Sequence, residues 1–113
     1  MEDGILTNQK FDLIYTMLVL HHVIKVDMVI NHLYSMLNHN GYLCIIDLDK
    51  EDGTFHDSNF VGHNGFDPTE LIKQIEMAGF SNTEYIINHY IDKQMPDGSI
   101  KSYPVFMMTV QKK

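Results

Sequence analysis

The sequence predicts an α/β domain of four strands and two helices, in the order strand, helix, strand, helix, strand, strand. In two segments the apolar residues recur at helical spacing, and runs rich in aromatic and β-branched residues lie before and after them. A turn signal at Pro96, Asp97 and Gly98 separates the last two strands. These two strands therefore form a hairpin, and the last strand is expected to be antiparallel to the others.

The first elements are a short strand at residues 11–16, a loop at residues 17–24 and a helix. Asp27 is the predicted cap at the helix start, and Gly41 is the predicted helix end. Spacings of three and four residues define the apolar stripe of this helix, which consists of Val26, Ile30, Leu33 and Leu37.

The second strand, at residues 42–48, is apolar until Asp47, a pattern typical of strands that are covered on both faces. The second helix is predicted to begin at Asp67 as its cap, with Pro68 at the first helical position, and to end at Gly79. Its apolar stripe consists of Leu71, Ile72, Ile75 and Ala78. Two long strands, at residues 83–93 and 102–112, complete the sheet.

Composition favours a single intracellular domain that spans residues 1–113. No apolar run approaches the roughly 20 residues that span a bilayer. The acidic N-terminus lacks the basic region of a signal peptide. Cys44 is the single cysteine, which fits a reducing compartment, and we expect a cytoplasmic location.

The charge pattern argues against two classes of partner. The net charge is −7, and all eight basic residues are lysines. Without arginines or a basic stripe, nucleic-acid binding is not expected. An acidic surface also disfavours docking on anionic membranes.

Four segments of the chain carry a family resemblance. They read FDLIYTMLVLHHV at 11–23, LNHNGYLCIID at 37–47, NGFD at 64–67 with AGF at 78–80, and YPVF at 103–106. In this order they resemble the fourth strand with its loop, the fifth strand, the last helix and the final antiparallel strand of class I S-adenosylmethionine-dependent methyltransferases. The nearest likeness is to small-molecule enzymes of the quinone-biosynthesis type. The resemblance implies a partial Rossmann-like methyltransferase sheet, from the fourth strand to the C-terminus.

The glycine-rich cofactor motif of that family has no counterpart in this sequence. The seven glycines are scattered, and no Gly-x-Gly-x-x-Gly occurs. The resemblance therefore implies a methyltransferase fragment, with S-adenosylmethionine as its cofactor, that is not expected to be active alone. Two alternatives stay open: a non-catalytic module for dimerisation or partner binding derived from a methyltransferase, and a self-contained α/β domain with an unrelated role.

The connections between strands predict an uncovered face of the sheet. Right-handed crossovers place both helices on one face. The other face receives no helix from this chain, and the first strand becomes an edge, although residues 42–46 are apolar on both sides. Bare apolar faces and unpaired edges recruit partners. We therefore expect a homodimer or a complementary N-terminal half, and a small-molecule acceptor if the protein is active.

Candidate cofactor contacts lie where ligands bind in open α/β sheets, beyond the carboxyl ends of the parallel strands. The resemblance implies that Thr16, Met17 and Leu18 contact the cofactor and that His21 and His22 border it. The histidines alternatively serve as a packed residue and a helix cap.

On the acceptor side the resemblance suggests Asp47, His56 and His63. The six-residue separation of His56 and His63 matches no metal-ligand pattern, so no metal is expected. Glu2 and Asp3 fall near the adenine contact of the family but are better explained as solvated charges. Methyl transfer depends mainly on alignment, so the sequence assigns no catalytic residue.

Overall fold

The computed structural model describes residues 10–20, 23, 25–50 and 65–113. Its elements are β1 (Phe11–Met17), α1 (Val26–Met36), β2 (Leu37–Leu48), α2 (Pro68–Met77), β3 (Phe80–Gln94) and β4 (Ile100–Lys112). The sheet order is β1-β2-β4-β3. Strands β1 and β2 are parallel, whereas β4 is antiparallel to both of its neighbours. The predicted α/β fold with an antiparallel last strand is thus confirmed.

Helix α1 begins and ends earlier than the sequence pattern predicted. Lys25 is the N-cap residue and makes no side-chain capping bond, while Asp27 lies in the first turn, so the prediction of Asp27 as the cap is wrong. The backbone is already extended at Leu37, so Gly41 does not end the helix. Gly41 instead permits close packing against β1, because a Cβ there would lie 3.1 Å from the Asp12 carbonyl oxygen.

Helix α2 follows its predicted boundaries closely. The Asp67 carboxylate accepts hydrogen bonds from the backbone N–H groups of Thr69 at 2.9 Å and Glu70 at 3.4 Å. Pro68 occupies the first turn, where its missing N–H is not needed. The helix ends before Gly79, whose φ of +114° suits a residue without a Cβ. No helix in the described residues is both long and apolar enough to cross a bilayer.

The main core lies between one face of the sheet and both helices. Both helices contribute to a single buried cluster, as the crossover argument predicted. Its fully buried members include Ile30 and Leu33 of α1, Leu71 and Ile75 of α2, Leu43 and Ile45 of β2, and Phe106, Met108 and Val110 of β4.

The opposite face of the sheet exposes a group of apolar side chains on β1 and at the start of β2. We define the open face as Leu13, Tyr15, Met17 and Tyr42, which are 60%, 67%, 54% and 44% exposed. Leu13 lies beside Tyr42 in the register of the two strands.

At its carboxyl-terminal end the same side of the sheet is not bare. A second, smaller cluster there buries Leu48, Tyr103 and Val105, with Leu18, Ile46 and Ile91 packed against it. Within the described residues, the expected bare face therefore comprises β1 and the first part of β2, together with the exposed Ile86 of β3 on the same side of the sheet.

The hairpin turn forms at its predicted position. Gly98 has a φ of +89° and donates its N–H to the Met95 carbonyl at 2.9 Å. The Met95 N–H in turn donates to the Ser99 carbonyl at 2.7 Å. Asp97 accepts the Ser99 N–H at 2.9 Å, as expected for an aspartate in a tight turn.

Candidate cofactor site

Strand β1 ends in a turn that remains bonded to β2. Leu18 has a φ of +55°, and its N–H donates to the Ile46 carbonyl at 2.8 Å. Positive φ is uncommon for a residue with a bulky side chain. Two residues later, Leu20 is buried in the main core. The chain is thus turned away from the sheet at the carboxyl end of β1 and is held there by packing.

Thr16, the penultimate residue of β1, carries an unsatisfied hydroxyl group. Its Oγ1 is buried and has no hydrogen-bond partner within the described part of the chain. A buried polar group without a partner costs about 1–3 kcal/mol, so such a group needs an explanation. Thr16 therefore offers an unused hydrogen-bonding atom close to the carboxyl ends of the parallel strands.

The other predicted cofactor contacts divide into described and undescribed residues. Met17 points to the open face and is 54% exposed, whereas Leu18 packs against the smaller cluster. His21 and His22 lie outside the described residues. The structure brings Thr16, Met17 and Leu18 together at one strand end, and their contact with a cofactor remains a prediction.

On the predicted acceptor side, Asp47 is fully buried near the carboxyl end of β2. Its Oδ1 accepts the Leu48 N–H at 2.7 Å. His56 and His63 lie outside the described residues, as do Glu2 and Asp3. Over the ranges that the structure describes, no group of three or more His, Cys, Asp or Glu residues is placed to hold a metal ion.

A hydrogen bond that sequence reasoning missed joins β3 to the end of β2. The Tyr85 hydroxyl donates to Asp49 Oδ1 at 3.0 Å, and the Asp49 N–H donates to the Pro104 carbonyl at 3.0 Å. Burial raises the pKa of Tyr85 to about 12, with further contributions from the Asp49 carboxylate and from Asp67. Tyr85 and Asp49 are 36 residues apart, so no local pattern identifies the pair.

The segment before α2 is bonded to the same strand end. The Lys50 N–H donates to the Phe66 carbonyl, and the Phe66 N–H donates to the Leu48 carbonyl, both at 2.9 Å. Gly65 has a φ of +76°, and a Cβ there would lie 2.0 Å from the Asp49 carbonyl oxygen. Only glycine permits this close approach. The carboxyl end of β2 is therefore held by β3, β4 and the segment that leads into α2.

Comparison with known proteins places the chain in a family. The family model described as a methyltransferase domain matches residues 3–85. An uncharacterized methyltransferase of Schizosaccharomyces pombe is 30% identical over 86 residues, which cover 68% of this chain and 30% of that protein.

Solved structures share the fold. A protein of Bacillus halodurans with a suggested methyltransferase function superposes with a TM-score of 0.70 at 13% identity, over 95% of this chain and 66% of that chain. Phosphoethanolamine N-methyltransferase 2 of Haemonchus contortus, solved with S-adenosyl-L-methionine, gives a TM-score of 0.62 at 10% identity, over 90% of this chain and 33% of that chain. The chain thus spans one third to two thirds of these solved chains and a smaller share of the yeast relative. Because the family match covers most of its length, the chain belongs to the methyltransferase domain family.

Proposed function

We propose that this chain forms part of an S-adenosylmethionine-dependent methyltransferase that acts on a small-molecule acceptor and is inactive until its open face is covered. In this proposal the chain provides one wall of the cofactor site, at the carboxyl end of β1. The single observation that carries it is the buried hydroxyl of Thr16, which has no hydrogen-bond partner among the described residues and lies two residues before the turn at Leu18.

The residues at this strand end fit a ligand that has polar groups on one side. The Thr16 hydroxyl can donate and accept a hydrogen bond. The left-handed turn at Leu18 takes the chain out of the sheet next to it. The family resemblance assigns this segment to the methionine portion of the cofactor, and we extend the proposal to His21 and His22.

Bound S-adenosylmethionine would supply a methyl group that is already activated by its sulfonium sulfur. The chain has to bind, to orient and to exclude water. Thr16 would anchor the ligand, while Leu18, which packs against the smaller buried cluster, would keep water away from this wall. We place Asp47, together with His56 and His63, on the acceptor side. A base is needed only for an acceptor that must lose a proton.

The proposal is tested by calorimetric titration of S-adenosylhomocysteine into the purified chain. Binding with micromolar affinity is the expected result if the β1 turn forms a usable site. Methylthioadenosine, which lacks the amino and carboxyl groups of the methionine portion, serves as the control and should bind more weakly. Absence of binding at millimolar ligand, or equal affinity for the two compounds, would contradict the role proposed for Thr16.

A second candidate function is a non-catalytic module for dimerisation or partner binding that derives from a methyltransferase. The exposed open face favours it, since Tyr15 leaves 67% of its surface in water. This alternative is supported if the chain assembles with a defined stoichiometry but binds neither S-adenosylhomocysteine nor methylthioadenosine.

A further inference from the structure

The carboxyl end of β2 carries two aspartates that differ in how far a ligand can reach them. Asp47 is fully buried, whereas Asp49 is half-buried. Both lie on the face of the sheet that carries the helices: Asp47 pairs with the core residue Phe106, and Asp49 bonds to Tyr85, which packs against the same core. Since ligands in open α/β sheets bind beyond the carboxyl ends of the strands, Asp49 is the carboxylate at this strand end that a ligand can contact.

Asp49 is held in place by three other parts of the fold. Its backbone N–H donates to the Pro104 carbonyl of β4 at 3.0 Å, and it forms a β-bridge with Phe66 just before α2. Its Oδ1 accepts the Tyr85 hydroxyl of β3 at 3.0 Å. The Tyr85 ring in turn lies 5.6 Å, centre to centre, from that of Phe106 in the core. The carboxylate is therefore fixed in position before any ligand binds, as a recognition group requires.

The bond from Tyr85 leaves this carboxylate able to bind a further donor. An ionised carboxylate has two oxygens with about four acceptor positions and no donor. Burial raises the pKa of Tyr85 to about 12, so its hydroxyl is protonated at neutral pH and fills one of these positions. Asp49 can therefore accept a hydrogen bond from an O–H or N–H group of a ligand, and it disfavours a ligand that presents only acceptors.

The spacing between this carboxylate and the proposed cofactor wall suits a small molecule. Met17 pairs with Ile46, and the Leu18 N–H donates to the Ile46 carbonyl, so β1 leaves the sheet at this level. Asp49 lies further along the same strand direction, beyond Leu48. The distance from Ile46 to Asp49 along an extended chain is roughly 10 Å. That span is comparable with the length of a molecule that contains a single ring.

We propose that Asp49 recognises the methyl acceptor, that the acceptor presents an O–H or N–H group, and that Tyr85 is a positioning residue for this carboxylate. The inference rests on the proposed methyltransferase function and identifies the acceptor class of the same site. When the acceptor oxygen or nitrogen bonds to the methyl carbon, the carbon–sulfur bond breaks with its electron pair going to sulfur, and the acceptor proton passes to Asp49. The products are the methylated acceptor and S-adenosylhomocysteine, and the carboxyl proton is released to water.

Two matched pairs of probes test this assignment without turnover. Phenol carries an O–H donor, which is methylated in anisole, and aniline carries N–H donors, which are methylated in N,N-dimethylaniline. Binding to the full chain is followed by NMR through the backbone signals of Asp49 and Phe66. In at least one pair the donor compound should bind roughly tenfold more tightly than its methylated partner, as expected for a hydrogen bond to a charged group.

Three variants assign the preference to its residues. Asp49→Asn keeps an oxygen for the Tyr85 hydroxyl but loses the charge, so the preference for the donor compound should disappear while the urea unfolding midpoint is unchanged. Tyr85→Phe should reduce the preference without abolishing it. Asp67→Asn is the matched control, because it removes a neighbouring charge and keeps an oxygen that can cap α2, and it should retain the full preference.

The proposal is overturned if the parent chain binds neither donor compound more tightly than its methylated partner, a result that needs no variant. It is also overturned if Asp49→Asn retains the preference, and the positioning role fails if Tyr85→Phe retains it in full. Titration of S-adenosylhomocysteine into the same proteins separates this proposal from the function on which it rests. A parent chain that binds S-adenosylhomocysteine but shows no probe preference contradicts only the role of Asp49, whereas absence of S-adenosylhomocysteine binding contradicts the proposed function.

Discussion

Replacing Thr16 by valine tests the candidate site most directly, because the substitution is expected to raise the stability of the fold and to weaken ligand binding. The Thr16 Oγ1 is buried without a partner in the described structure, while Thr16 itself is half-buried. Valine has nearly the same shape but no hydroxyl, so the substitution removes an unsatisfied polar atom and keeps most of the packing.

The expected gain in stability follows from the free energy that it costs to bury the hydroxyl oxygen without a hydrogen-bond partner. A buried hydroxyl without a partner destabilises the fold by about 1–3 kcal/mol. Because Thr16 is only half-buried, we expect the free energy of unfolding of Thr16→Val to rise by about 1 kcal/mol. If the hydroxyl bonds to the ligand, losing that bond costs about 0.5–1.5 kcal/mol of binding free energy, which weakens the binding of S-adenosylhomocysteine roughly two- to thirteenfold.

Urea unfolding measures the first quantity, and calorimetric titration measures the second. Thr83→Val is the matched control. The Thr83 hydroxyl is also buried and has no partner among the residues that the structure describes. It lies near the start of β3, away from the carboxyl ends of the parallel strands. This control should gain similar stability and keep its affinity. The reasoning is refuted if Thr16→Val loses stability, or if its affinity for S-adenosylhomocysteine equals that of the parent chain.

Two further predictions concern the elements that hold the site. Asp67→Ala removes the cap that bonds to the Thr69 and Glu70 N–H groups. Urea unfolding should therefore show that the free energy of unfolding falls by about 1 kcal/mol, and Asp67→Ser should restore most of it. An unchanged unfolding midpoint would contradict the capping role. The pKa of Tyr85 is raised from 10.0 to about 12, so its contribution to stability is complete below pH 10 and is lost as the pH rises through about 12. This rise in pKa corresponds to at most about 2.7 kcal/mol. Because Tyr85 is only partly buried and solvent screens part of this energy, the free energy of unfolding should fall by about 1 kcal/mol more in the parent chain than in Tyr85→Phe between these pH values. Parallel pH profiles of the two proteins would rule out the raised pKa.

Much of the fold was predictable because it depends on local patterns. The cap and proline at Asp67 and Pro68 marked the start of α2 within its own sequence, and Gly98 marked the hairpin turn. The side of the sheet that the helices cover followed from the handedness of the crossovers. The resemblance to methyltransferases, confirmed by the family match, rested on the order of four such local segments.

The boundary of α1 shows where local patterns stop being sufficient. Leu37 continues the apolar spacing of the helix and is buried, yet its backbone already belongs to β2. Gly41 resembles a helix end, but the space that it leaves is used by the neighbouring strand. Pairing with β1 decided both positions, and the pairing partner is more than twenty residues away in the chain.

The candidate site depended even more on tertiary structure. The sequence indicated which residues follow each strand, and it placed Thr16 and Asp47 near the carboxyl ends. Only the packed sheet joined Tyr85 to Asp49 and left the Thr16 hydroxyl without a partner in the part of the chain that the structure describes. Helix periods and caps are encoded within a few residues, whereas burial, hydrogen-bond satisfaction and pKa depend on which distant strands become neighbours.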